Sequence, residues 1–134
     1  MKALLIGYLG SAVAMLVLDI VWLTTMAGLL YRPLIGEILL EGFRPLPAIS
    51  FYALYLCGVV WFAIRPGLAA QSIGVAALNG ALLGLFAYGT YDLTNQATLK
   101  TWSTVITLAD ITWGIVLSGI AAMAGTWAAR KFGG

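Results

Sequence analysis

Four long apolar runs dominate this chain, at about residues 3–30, 47–64, 71–93 and 103–127. Each is long enough to carry a helix across a hydrocarbon core of about 30 Å, which takes about 17–25 residues. Between them the charge is sparse: 9% of the residues are charged, against about 25% in a soluble domain. Seven Lys/Arg and five Asp/Glu cannot coat a soluble protein of 134 residues. A soluble globular domain, a disordered tail and a disulfide scaffold are therefore excluded. The runs are too long and too uniformly apolar for the alternation of a β-barrel. The expected fold is all-α: residues 1–134 form one integral membrane domain, a bundle of four transmembrane helices. Its first partner is the lipid bilayer.

The first run has some features of a secretion signal, with Lys2, an apolar stretch and the small-residue site Ala12-Val13-Ala14. Its apolarity continues to Leu30, so it is expected to stay as a span, long enough to be tilted or to protrude. Lys2, Arg65, Arg130 and Lys131 fall on one side of the bundle. Arg32, Arg44 and Lys100 fall on the other, together with Glu37 and Glu41. The positive-inside rule then places both termini in the cytoplasm.

The connections differ in kind. Arg65-Pro66-Gly67 reads as a tight turn that makes spans two and three antiparallel neighbours. The segment from Tyr31 to Leu46 is long for a bundle loop. Between Pro33 and Pro45, Glu37, Glu41 and Arg44 share one helical face, opposite Leu34, Ile38 and Leu39. This pattern predicts a short amphipathic helix lying in the outer interface, either a plain connection or a lid.

Composition also limits the chemistry. The chain has no histidine, which removes haem axial His, His-rich zinc sites, Ser-His-Asp triads and imidazole proton shuttles. Cys57, the only cysteine, lies in an apolar run and has no His to activate it. No basic stripe is present, so nucleic acid is not an expected partner. No cofactor is expected.

Asp19, Asp92 and Asp110 are the residues that do not belong in lipid. A carboxylate near a span centre costs about 2.5–3.5 kcal/mol on insertion scales, and such groups normally face the bundle interior or water. With the topology above, all three sit in the outer half of the membrane, which suggests one shared site. Asp92 lies nearest the outer interface and Asp110 deeper, so capture of a cation is expected at Asp92 and proton-responsive coupling at Asp110.

Asp19-Ile20-Val21-Trp22 and Asp110-Ile111-Thr112-Trp113 repeat one pattern, with Asp and Trp on a single helix face. In antiparallel helices each indole N–H could donate to the Asp of the other helix, making a clasp of Asp19, Trp22, Asp110 and Trp113. Span four carries a polar stripe of Ser103, Thr107, Asp110 and Gly114, and span three carries Gly80, Gly84, Tyr88, Asp92 and Asn95. Gly80-x-x-x-Gly84 predicts close helix packing. Where the stripes meet, Asp92, Asn95 and Asp110 are expected to line a site for a solute or cation, with Tyr88, Tyr91 and Thr107 as secondary contacts. Whether a metal ion is involved is left open. Tyr8, Tyr31, Phe43, Phe51, Tyr52, Trp102 and Trp127 lie near span ends and read as interfacial belts.

Asp19-x-x-Trp22, Phe51-Tyr52-x-x-Tyr55, the run from Tyr91-Asp92-Leu93-Thr94-Asn95 to Trp102, and Asp110-Ile111-x-Trp113-Gly114 together resemble a bacterial membrane-protein family known as domain of unknown function 2177. The likeness covers nearly the whole chain. It implies a small multi-span protein of the bacterial inner membrane and transfers no activity or catalytic residue.

Three functions are compatible with these residues. A transporter or channel-like protein would use the acids for a proton, a cation or a small solute, and would need a second copy or another membrane subunit to complete a pathway. A structural or accessory subunit would use the Asp–Trp pairs only to fasten helices. A lipid-acting enzyme, or its accessory factor, would use paired carboxylates at headgroup depth. No nucleophile–base pair supports the last, so catalysis is the weaker expectation and no catalytic residue is assigned.

Overall fold

The computed structural model describes residues 1–40 and 42–134. Four helices are long and apolar enough to cross a membrane: α1, Lys2–Ile38; α2, Pro45–Ala69; α3, Ile73–Thr98; and α4, Thr104–Phe132. No strand occurs among the described residues. Helix starts are set by local chemistry. Ser72 and Ser103 cap α3 and α4, their hydroxyls accepting from Val75 N at 3.1 Å and Val105 N at 3.0 Å. Proline opens α2, where its missing N–H would have had no partner anyway.

Two helices pass through prolines that read as breakers. In α1 a π-helical turn, Ala27–Tyr31, precedes Arg32-Pro33; in α2 another, Val60–Ile64, precedes Arg65-Pro66. A proline lacks the N–H for an i→i−4 bond and its ring crowds the carbonyl of that turn. Widening the preceding turn to i→i+5 relieves the clash while the helix continues. The tight turn expected at Arg65-Pro66-Gly67 therefore does not form. The chain reverses at Ala70–Ser72 instead, around Gln71 with φ 52°.

The expected interfacial helix takes a shorter form. Arg32–Ile35 is one α-helical turn followed by a 3-10 turn, Gly36–Ile38, and both run on from the π turn of α1. Residues 42–44 are not helical. The predicted place of Glu41 on the polar face lies outside the described residues.

α4 is the centre of the bundle. It packs along α3 on one side and along α1 on the other, while the C-terminal part of α2 fills the groove between α1 and α3. Glycines set these close approaches. A Cβ on Gly80 would come within 2.6 Å of Ser118 O, and one on Gly84 would overlap Gly114 O. A Cβ on Gly125 would lie 2.6 Å from Gly7 O, which fixes the α1–α4 crossing in the same way. The Gly80 and Gly84 positions thus form the α3–α4 contact.

The two ends of the chain meet, since a Cβ on Gly133 would lie 2.7 Å from Ala3 Cα. The opposite end of the bundle, termed the loop end, carries the 39–44 and 99–103 connections. Two apolar clusters fill the interior. The larger contains Met15, Val59, Ile64, Leu117 and Ala121. The smaller, at the loop end, contains Leu30, Ile35 and Ile106. Asp19 and Asp110 fall between the two clusters along α1 and α4.

Candidate functional site

Asp19 is almost fully buried and fully occupied. Trp113 Nε1 donates to its Oδ1 at 3.0 Å, and the Tyr52 hydroxyl from α2 donates to its Oδ2. The other half of the repeated pattern is closed through an intermediary. Trp22 Nε1 donates to the Tyr31 hydroxyl at 3.0 Å, and Tyr31 donates to Asp110 Oδ1 at 2.6 Å. The two indoles stack, with ring centroids 4.6 Å apart and planes at 6°.

The π turn makes the relay possible. Residues 22 and 31 are nine apart, about two and a half turns of a regular α-helix, and would lie on opposite faces. The additional residue held in the Ala27–Tyr31 turn swings Tyr31 toward the face of Trp22. Sequence periodicity assumes an unbroken helix, so Tyr31 reads as a belt residue. Tyr52 is missed for a different reason: its partner is on another helix. The signal for Tyr52 was the Phe51-Tyr52-x-x-Tyr55 spacing, which aims two hydroxyls at one face; Tyr55 meets Ser118 of α4, the hydroxyl oxygens 2.5 Å apart.

Asp92 has the opposite environment. It is completely buried, and no protein donor reaches either carboxyl oxygen. The carboxyl of Asp110 faces it across the α3–α4 contact. Two ionised carboxylates are acceptors only, so the contact supplies a hydrogen bond only when a proton lies between them. The close approach below it is made by Gly114, which sits against the Tyr88 ring, a place where any Cβ would overlap the ring.

Two cavities converge on Asp110. The larger, about 780 Å³, opens at the loop end and is bounded by Tyr31, Arg32, Arg44, Tyr91, Trp102 and Asp110 among others. Its volume is in the range of small-molecule sites, roughly 300–1,000 Å³. The smaller, about 280 Å³, is an apolar slit lined by Phe51, Ala87, Tyr88, Tyr91 and Asp110. It exists because the N-terminal half of α2 stands off α3, whereas the C-terminal half packs against it.

The structure therefore brings together Asp92, Asp110, Tyr88 and Tyr91. Asn95 is half-buried one turn beyond Asp92, beside the Tyr91 phenol. Thr107 is buried and accepts from Trp102 Nε1 at 3.0 Å, so it supports the cavity wall and does not face the cavity. Asp19 belongs to the aromatic clasp, separate from the carboxyl pair. Within the pair, Asp110 borders both cavities and Asp92 is completely buried behind it. Position along a helix gives depth, but the face toward α4, not depth, hides Asp92. Among the described residues no three acids or thiols gather into a metal-binding group.

The fold and the buried carboxyls define a multi-pass membrane protein of four apolar helices. Residues 4–127 match the family described as "Predicted membrane protein (DUF2177)", and the chain belongs to that family. No curated protein and no solved structure matches the chain.

Proposed function

We propose that the protein is a transporter or channel-like protein whose Asp92–Asp110 pair binds one positive charge, a proton or a small cation, entering from the loop-end cavity. The observation that carries this reading is Asp92, a buried carboxyl that accepts from no protein donor and faces only a second carboxyl, Asp110. Burying a polar group without compensation costs several kcal/mol on the order of 2–7, and an ionised carboxylate more. A fold that keeps such a group beside a second carboxyl needs a positive charge to compensate both. Capture then falls to Asp110, which borders the cavity, and coupling to Asp92 behind it.

A structural role is favoured by one observation, the complete occupation of Asp19 by Trp113 and Tyr52. It accounts for the clasp and leaves Asp92 unaccounted for. The basic residues support an orientation in the bacterial inner membrane with the termini cytoplasmic and the loop end outside: Lys2, Arg65, Arg130 and Lys131 lie at the terminal end. A second copy or another membrane subunit is part of this reading, as the partner that would complete a pathway.

The test is flux. The protein is placed in liposomes containing a pH-sensitive dye, and gradients of Na⁺, K⁺ or ethanolammonium are imposed. Proton movement coupled to one of these gradients is expected in the wild type and in a folded Asp19→Asn variant, and is lost in Asp92→Asn. Wild-type traces equal to empty liposomes, or Asp92→Asn traces equal to wild type, overturn the proposal.

A further inference from the structure

The two cavities that meet at Asp110 differ in chemistry, and together they match one class of molecule. The larger is bordered by two arginines, Arg32 and Arg44, and also reaches Asp110. The slit beside it is bounded by Phe51, Ala87 and the Tyr88 ring, and is almost wholly apolar. Tyr91 and Asp110 line both, so the spaces share a boundary. Arginine is suited to phosphate oxygens through its fork of donors. An acid beside a second, unpartnered buried acid is suited to a compact cation with hydrogens to donate. An apolar slit between two membrane helices suits a hydrocarbon chain.

We infer that this is a site for a phospholipid with a primary-ammonium headgroup, the phosphate held by Arg32 and Arg44, the ammonium at Asp110 and part of one acyl chain in the slit between α2 and α3. The inference rests on the proposed reading of the carboxyl pair as a cation site and names the cation as one borne by a lipid. The geometry separates the three parts in a sensible order. Arg32 and Arg44 stand on either side of the loop-end connection, at the mouth of the larger cavity. Asp110 lies below them, and its Oδ1 is already used by Tyr31, which leaves its other oxygen for the ammonium. A quaternary ammonium would carry the same charge but no N–H to give to this oxygen.

The experiment uses the purified, delipidated protein in detergent and reads lipid binding by native mass spectrometry and by the change in intrinsic fluorescence that is lost in Trp102→Phe, the cavity-wall tryptophan. The probes are phosphatidylethanolamine, phosphatidylcholine and phosphatidylglycerol of identical chains, with glycerophosphoethanolamine as the chain-free headgroup. Phosphatidylethanolamine is expected to bind about tenfold or more tightly than phosphatidylcholine, the difference that charge-assisted hydrogen bonds supply. Asp110→Asn is expected to erase that preference, and Arg32→Gln with Arg44→Gln to weaken both lipids alike. Ala87→Phe, which fills the slit, is expected to weaken every chain-bearing probe and leave glycerophosphoethanolamine unchanged. Equal binding of the ethanolamine and choline lipids by the wild type overturns the inference without use of any variant. A preference that survives in folded Asp110→Asn overturns it as well. Coupled flux that depends on Asp92 without lipid preference would retain the cation site and reject the lipid. Lipid preference without flux would retain the lipid site and reject transport.

Discussion

Trp22 and Trp113 stack face to face across the α1–α4 contact, their ring centroids 4.6 Å apart and their planes 6° from parallel. Each comes from an Asp-x-x-Trp element, yet their hydrogen bonds are not equivalent. Trp113 donates to the Asp19 carboxyl and Trp22 to the Tyr31 hydroxyl. Bonds to a charged group contribute about 1.5–3 kcal/mol and neutral ones about 1. Trp113→Phe should therefore destabilise the protein by about 2–4 kcal/mol, taking the aromatic pair at about 0.5–1.5 kcal/mol into account, and Trp22→Phe by about half as much. Thermal unfolding in detergent checks the order. Equal losses would show that stacking alone holds the clasp.

The aspartates should respond differently to neutralisation. Asp19→Asn removes an acceptor from one of two donors, and should lower stability by about 1–3 kcal/mol. Asp92→Asn exchanges the proton shared with Asp110 for an amide that can donate to Asp110, and it relieves a buried acid pair, so its melting temperature should equal or exceed that of the wild type. A strongly destabilised Asp92→Asn would mean that Asp92 has a structural partner.

Gly84 and Gly114 are places where a methyl group has no room, one against the Gly114 carbonyl and the other against the Tyr88 ring. Either alanine variant should cost about 1–3 kcal/mol or more through overpacking. Gly89 supplies the control, since a Cβ there meets nothing within 4 Å. Gly89→Ala should be neutral or stabilise the helix by up to about 1 kcal/mol. Unfolding of all three in parallel separates tight contact from loss of helix flexibility, and a costly Gly89→Ala would contradict the contact account.

Single cysteines at Lys2 and Gly134, introduced with Cys57 replaced by alanine, should be labelled from the same face of the membrane, and one at Lys100 from the opposite face. Opposite-side labelling of the two ends would require an odd number of crossings.

The four helices were legible because apolar length is a property of composition along the chain. The three membrane-embedded acids were legible because their residue type conflicts with the surrounding runs. What the sequence hid depends on radial direction and on helix phase. Asp92 lies near the end of an apolar run, which suggested access to water, but its face is turned to Asp110 and α4. Tyr31 reaches Asp110 only because a π turn shifts the phase ahead of Pro33. The Arg32-Pro33 and Arg65-Pro66 pairs looked like helix ends, and both are accommodated by the same widening of the preceding turn. The slit between α2 and α3 follows from the spread of whole helices, which no local pattern encodes.

The central claim is that Asp92 and Asp110 together hold a single positive charge. Infrared difference spectroscopy of the protein in lipid, with H/D exchange, reads it directly. At neutral pH and without added cation, the wild type should show one protonated carboxyl band that is lost in Asp92→Asn, retained in Asp19→Asn, and removed when the cation that supports flux is added. A spectrum without a protonated carboxyl, or a band that persists in both Asp92→Asn and Asp110→Asn, would contradict the account.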